Sequence, residues 1–182
     1  MRIWGTEYSF NDRWECIILA AFRKYPNLFN PAVRALDVLD RRVDERGRLI
    51  SRRIIGTSWS PPSWAIKLLG LSRMPMTYVS ECSVLDLNNR TLTLKSTNFT
   101  LASIIRIDET LTYSVVPGDD NRTLLEQEAR ISVFKLPFSG SLENLMADRI
   151  SSMAGKGREA IEEKSELIKR ELESIGNHTD SS

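Results

Sequence analysis

SGSLENLMADRISSMAGKGREAIEEKSELIKREL, residues 139–172, reads as one long amphipathic helix. Leu142, Leu145, Met146, Ile150, Met153, Ala154, Gly157, Ala160, Ile161, Lys164 and Ile168 recur at the three- and four-residue spacing that gathers side chains on one face. A stripe of that length needs a partner surface that removes it from water. Glu166 precedes Lys169 and Arg170 at spacings that support a solvated opposite face.

The residues before it supply that surface. Residues 2–9, 33–43, 49–58, 76–86, 91–100, 104–115 and 123–135 are rich in β-branched and aromatic types. Asp44-Glu45-Arg46-Gly47, Leu87-Asn88-Asn89 and Pro117-Gly118-Asp119-Asp120 punctuate them as turns. Such short connections favour antiparallel neighbours. Trp14, Ile17, Ile18, Ala21 and Phe22 define a short early helix, with Asn11-Asp12 as its cap and Pro26 and Pro31 beyond its end. The expectation is an α+β fold in which a curved antiparallel sheet of about six to seven strands wraps the long C-terminal helix. A sheet gripping a helix readily leaves a cavity. Residues 1–172 form one domain on this reading, and 173–182 a polar flexible tail.

Composition excludes several functions. Lys+Arg 25 against Asp+Glu 24 leaves a net charge of +1, too little for a nucleic-acid binder that works by phosphate neutralisation. The sole histidine is His178, so neither a Ser-His nor a Cys-His nucleophile pair is available within the expected domain. Cys16 and Cys82 lack metal-site spacing, and four Cys/His ligands cannot be assembled. No phosphate-binding glycine loop is present, and pairs such as Asp37/Asp40 and Glu126/Glu128 read as solvated. The expectation is a binding protein without catalytic residues, metal or cofactor. The start at Met1 has no signal-peptide core and no apolar run long enough to span a bilayer, which reads as a soluble chain.

Basic residues inside apolar patterns are the informative ones: Lys24, Arg53, Arg149 and Lys156. An inward-facing cation implies an anionic ligand or a carboxylate partner, and both readings stand open for each. The segment 61–71, PPSWAIKLLGL, is apolar and bracketed by Pro and Gly. It reads either as a mobile flap or as a buried connector.

Lys24-Tyr25-Pro26-Asn27, Asp37-Val38-Leu39-Asp40-Arg41, the Leu49–Ile55 strand with Arg53, and Lys156-Gly157-Arg158-Glu159-Ala160, in this order and after an Ile3-Trp4 start, resemble the PRELI family near its slowmo-like branch. The resemblance covers about residues 1–170. It implies a START-like helix-grip fold and transfer of phosphatidic acid or phosphatidylserine between the outer and inner mitochondrial membranes. It implies transient membrane contact in the intermembrane space, and a small partner built as a helical hairpin with twin cysteine motifs. By position it assigns the headgroup to Lys24 and Arg53, with Arg149 and Lys156 on the long helix, and a lid loop to Pro62, Trp64, Ile66, Leu68 and Leu69. Met153 stands where relatives often carry a polar Asn. A START-like binder of another apolar ligand such as a sterol, and a scaffold filled by its own side chains, remain alternatives.

Overall fold

The computed structural model describes residues 1–25 and 31–179, with side chains through residue 172. Pro26 and Asn27 of the resembling motif, and the side chains of the expected tail, lie outside the described residues. Among the described residues seven strands form, β1 (Arg2–Phe10), β2 (Val33–Val43), β3 (Leu49–Thr57), β4 (Thr77–Asp86), β5 (Thr91–Asn98), β6 (Ile105–Val116) and β7 (Asp119–Val133). Three helices accompany them: α1 (Trp14–Arg23), α2 (Ser63–Leu68) and α3 (Ser139–Thr179). No helix among the described residues is long and apolar enough to cross a membrane.

All strands join one antiparallel sheet in the order β1-β7-β6-β5-β4-β3-β2. Strands β2 to β7 follow as a meander because their connections are mostly short, and β1 closes the far edge on β7. The expected α+β helix-grip architecture is the observed one. Alternation decides which side chains enter: Leu125, Gln127, Ala129 and Ile131 of β7 are buried, while Glu126, Glu128 and Arg130 between them are exposed.

One helix cannot fill the concave face, so the core forms in two parts. At one end α1 contributes Trp14, Ile17, Ile18 and Ala21, which meet Leu92, Tyr113 and Leu125 of the sheet and Ile161 and Ile168 of α3. Each large apolar side chain so buried contributes about 1.5–3 kcal/mol. Trp14 Nε1 also donates to the Tyr113 carbonyl at 3.3 Å, fixing α1 to β6. At the other end Ala65 and Leu69 of the α2 segment meet Ile105, Ile131, Leu142 and Met146. Between the two clusters α3 carries Ala154-Gly155-Lys156-Gly157 and leaves space.

Within the segment 61–71, Ser63–Leu68 form the short helix α2. Gly70, at φ +68°, ends it, with Leu71 N–H donating to the Ile66 carbonyl and Gly70 N–H to the Lys67 carbonyl. The cap expected from Asn11-Asp12 does not form, since Arg13 occupies the cap position without a side-chain bond. Asp12 instead turns to α3, accepting from Ser165 Oγ at 2.9 Å and pairing with Lys169. Its carbonyl accepts from Thr123 Oγ1 at 2.7 Å, so one residue ties α3, β7 and the β1–α1 corner together.

Asp12→Ala orphans the fully buried Ser165 hydroxyl and removes an ion pair, and should cost about 1–3 kcal/mol in urea unfolding. A change below about 0.5 kcal/mol would mean that water replaces the carboxylate and that packing alone holds α3.

Candidate functional site

The space between the two core clusters is a cavity of about 280 Å³ running from Trp59, Met74 and Leu101 at its mouth to Tyr113 and Leu125 at its closed end. Its walls are mostly apolar. Val79, Ile105 and Ile107 come from the sheet, and Met146, Ile150, Met153 and Ala154 from α3. Gly157 also faces it, and a Cβ built there would meet nothing within 4 Å. A helix-interior glycine costs about 1 kcal/mol relative to alanine, so this one keeps room at a cost in helix stability.

A polar row crosses this apolar lining. The register places Arg53 opposite Glu81, Glu81 opposite Ser96, and Ser96 opposite Glu109, on four adjacent strands. Arg53 Nε donates to Glu81 Oε1 at 2.9 Å, and Nη2 donates to the same oxygen. Gln127 Nε2 donates to Glu109 Oε1 at 2.7 Å. Lys24 and Tyr25, just past α1, line the same cavity, with the ammonium 5.1 Å from the Tyr25 ring centroid. Burial works against the Lys24 charge, but the fields of Tyr25, Tyr113 and Glu81 outweigh it and hold its pKa above the ordinary lysine value.

Lys24, Arg149 and Met153 line the cavity. Arg149 stands on the mouth side, its guanidinium 4.7 Å from the Trp59 ring centroid. Among the described residues no carboxylate pairs with it, and burial pushes its pKa down to about 10. Of the two partners left open for Arg53, a ligand anion or a carboxylate, the structure shows a carboxylate. It is 6% exposed, bound to Glu81, and lines a smaller recess with Phe22, Tyr25 and Leu36 instead of the main cavity. Lys156 is half-buried and outside the main cavity wall. Gly157 faces the cavity, so its neighbours stand about 100° to either side, and it is Arg158 that reaches the lining. Arg158 Nη2 donates to Thr6 Oγ1 at 3.1 Å and its guanidinium lies 4.9 Å from the Tyr8 ring centroid. Its buried Nε has no acceptor.

Of the lid residues, Leu69 is buried, Ile66 and Leu68 are half-buried, and Pro62 and Trp64 are exposed. Glu81, Glu109 and Arg158 were not singled out by the sequence reading. For Glu109 a signal exists: it interrupts the inward row Ile105, Ile107, Leu111, Tyr113 at period two. Glu81 becomes visible only through the register that sets it against Arg53.

Two predictions follow from this row. Glu81→Ala leaves a buried guanidinium without its carboxylate and should destabilise by about 3–5 kcal/mol, whereas Arg53→Met with Glu81→Leu should recover most of that loss. Equal destabilisation by the single and double variants would mean that the pair is not what holds β3 to β4. Burial raises the Glu109 pKa against the Gln127 hydrogen bond and the Lys24 field that lower it. A carboxyl raised in the folded state binds its proton more tightly there than in the unfolded chain. Its contribution to stability therefore falls as pH rises from the ordinary glutamate value through the folded one. Glu109→Gln keeps the bond to Gln127 through its amide oxygen, and should raise the melting temperature at pH 8 more than at pH 5. Identical shifts at both pH values would show that the group is ionised throughout.

The sequence and the architecture have parallels. A model of the PRELI-like family matches residues 15–171. Protein UPS2, mitochondrial, of Saccharomyces cerevisiae is 35% identical over 162 residues, which cover 87% of this chain and 70% of that protein. The protein slowmo homolog of Dictyostelium discoideum is 29% identical over 168 residues, covering 92% of this chain and 72% of that one. A START superfamily protein from Mycobacterium smegmatis superposes with a TM-score of 0.54 at 14% identity, covering 88% of this chain and 97% of that one, and shares the fold. With the family model and these relatives spanning most of its length, the chain belongs to the PRELI-like family.

Proposed function

We propose that this protein carries one phospholipid, phosphatidic acid or phosphatidylserine, between the outer and inner mitochondrial membranes. The observation that carries this reading is the placing of polar groups inside an apolar cavity. Along β6, Glu109 in the polar row is four residues from Ile105 near the mouth, about 13 Å of strand. An acyl chain spans about 15 Å of a bilayer leaflet. A lipid whose phosphate meets Lys24 therefore has its chains along Ile107, Met153 and Ile150, with their ends at the mouth. Arg149 beside Trp59 offers a second cation on the way in.

The reading is one of binding without chemistry: Arg53, Glu81, Glu109 and Gln127 are committed to one another, and no step of carriage needs a bond made or broken. The mitochondrial name of the yeast relative supports a mitochondrial location, within which we place the protein in the intermembrane space. There a small helical-hairpin protein with twin cysteine motifs binds and stabilises the carrier, raising its folded fraction by mass action. The α2 segment serves as the lid: Leu69 and Ala65 leave their pocket to open the mouth and return to close it.

Mass spectrometry of a lipid extract from the purified protein should find phospholipid in stoichiometric amount. Gly157→Leu narrows the cavity while relieving a helix-interior glycine, and should keep or raise the melting temperature yet abolish lipid content and transfer between vesicles. Arg149→Glu should slow transfer with little change in melting. A lipid-free wild type, or a Gly157→Leu variant that still carries lipid, would sink the carrier reading, and a bound sterol would replace it.

A further inference from the structure

Glu109 is a charged group of the cavity to which binding of an anion gives no task. Ile105, Ile107, Leu111 and Tyr113 flank it along the inward row of β6, and its carboxyl opens on the cavity instead of on bulk water. Each neighbouring element presents a group to it. Gln127 of β7 donates Nε2 to Glu109 Oε1 at 2.7 Å, and the Ser96 hydroxyl bonds the carboxyl from β5 on the other side. Lys24, just past α1, attracts it, and Glu81 of β4 repels it. The two cations that α3 brings to the lining are already engaged: Arg149 lies on the Trp59 ring, and Arg158 donates to Thr6 and shares Tyr8 with Glu162. Tyr25 and Tyr113 complete the titratable lining. Among the described residues no lysine or arginine pairs directly with Glu109, whereas Glu81 is neutralised by Arg53.

These contacts suit either protonation state. An amide donates to a carboxylate and to the carbonyl oxygen of a carboxylic acid alike, and a serine hydroxyl donates to the first or accepts from the second by rotating. Burial already pushes the Glu109 pKa up against the bonds and the Lys24 field that hold it down. A ligand anion pushes it in the same direction. With Glu109 ionised, its charge offsets that of Lys24, and the Arg53–Glu81 pair is neutral in itself. A phosphate entering would then leave this part of an apolar cavity with an uncompensated negative charge, which is strongly unfavourable. One proton on Glu109 restores the balance. It also turns a repelling oxygen into an O–H that donates a charge-assisted hydrogen bond to the phosphate.

We infer that the cavity takes up its anion together with one proton, which Glu109 holds and presents to the ligand phosphate as a hydrogen-bond donor. The carboxylate gains this proton from solvent on binding and returns it to solvent on release, and no covalent bond of the ligand changes. Affinity for the anion therefore rises as pH falls, and by reciprocity the bound anion tightens the hold of Glu109 on its proton. Glu109 becomes a headgroup residue beside Lys24. This role rests on the carrier reading, which supplies the phosphate.

Titration calorimetry of the full chain, stripped of copurified lipid, with dihexanoyl phosphatidylserine below its micelle concentration tests this without a bilayer. The phosphodiester of that probe does not titrate in the range used, unlike a phosphate monoester, whose second pKa is about 6. Runs at equal pH in two buffers of different ionisation enthalpy count the protons, and the wild type should approach about one proton taken up per ligand. Its Kd should rise at least about tenfold from pH 5 to pH 8, the factor that corresponds to one unit of pKa change on binding. Glu109→Gln stands in for the protonated acid, and should bind at pH 8 about as tightly as the wild type does at pH 5, with no proton uptake. Ser96→Ala removes a bond that favours the ionised form and should move the pH dependence to higher pH, which locates the proton even where the glutamine variant does not fold. Glu128→Gln, on the outer face of β7, should bind as the wild type does. Wild-type binding that is equal at both pH values and takes up no proton overturns the inference and spares the carrier. A pH dependence that survives Glu109→Gln and stays in place in Ser96→Ala assigns the proton to another group and overturns it as well. No binding at any pH, with no lipid in the extract of the purified protein, removes the carrier reading and this role with it.

Discussion

A seven-stranded curved sheet has a concave face wider than one helix can cover, and the rest of the molecule follows from that mismatch. The stripe on α3 seals the two ends with help, from α1 at the closed end and from α2 at the mouth. In the middle no third element arrives. Small residues there, Ala154 and Gly157 among them, keep α3 from reaching across. Protein interiors are close-packed, so a persistent apolar gap is a costly feature that a purely structural domain would fill.

The polar row makes the gap selective. Burying Arg53, Glu81, Glu109 and Lys24 in a largely apolar cavity is tolerable only because each has a partner or a compensating field. Arg53 is spent on Glu81, which leaves the Lys24 ammonium as the cation of the row that faces the cavity directly. Arg53 with Glu81, and Gln127 with Glu109, already constrain one another in pairs. The cation on the inward face of β3 is thus held by a carboxylate of the neighbouring strand.

Charge and aromatic exposure divide along the sheet axis. The turns beside α1 mix acids with arginines, Arg48 pairing with Asp44 and Arg90 with Asp120, whereas the connections 58–76, 99–104 and 134–138 at the other end carry no carboxylate. The α2 segment and the exposed rings thus share one end of the sheet, where Arg149 also stacks on Trp59.

The seven strands, both longer helices and the grip of sheet on helix were legible in the sequence, because period-two and period-3.6 patterns are local and survive any packing. Lys24 and Arg149 were legible as cations in apolar surroundings. Whether a cation is free was not: Arg53 and Glu81 are 28 residues apart, and only the β3–β4 register brings them opposite each other. Asp12 read as a helix cap because its type and position allow one, and the tertiary fold gave it Ser165 and Lys169, more than 150 residues away, instead. Arg158 rather than Lys156 lines the cavity because β1 offers Thr6 and Tyr8 on that side of α3. Periodicity specifies a face, and long-range pairing across the sheet specifies which charges on that face are already neutralised.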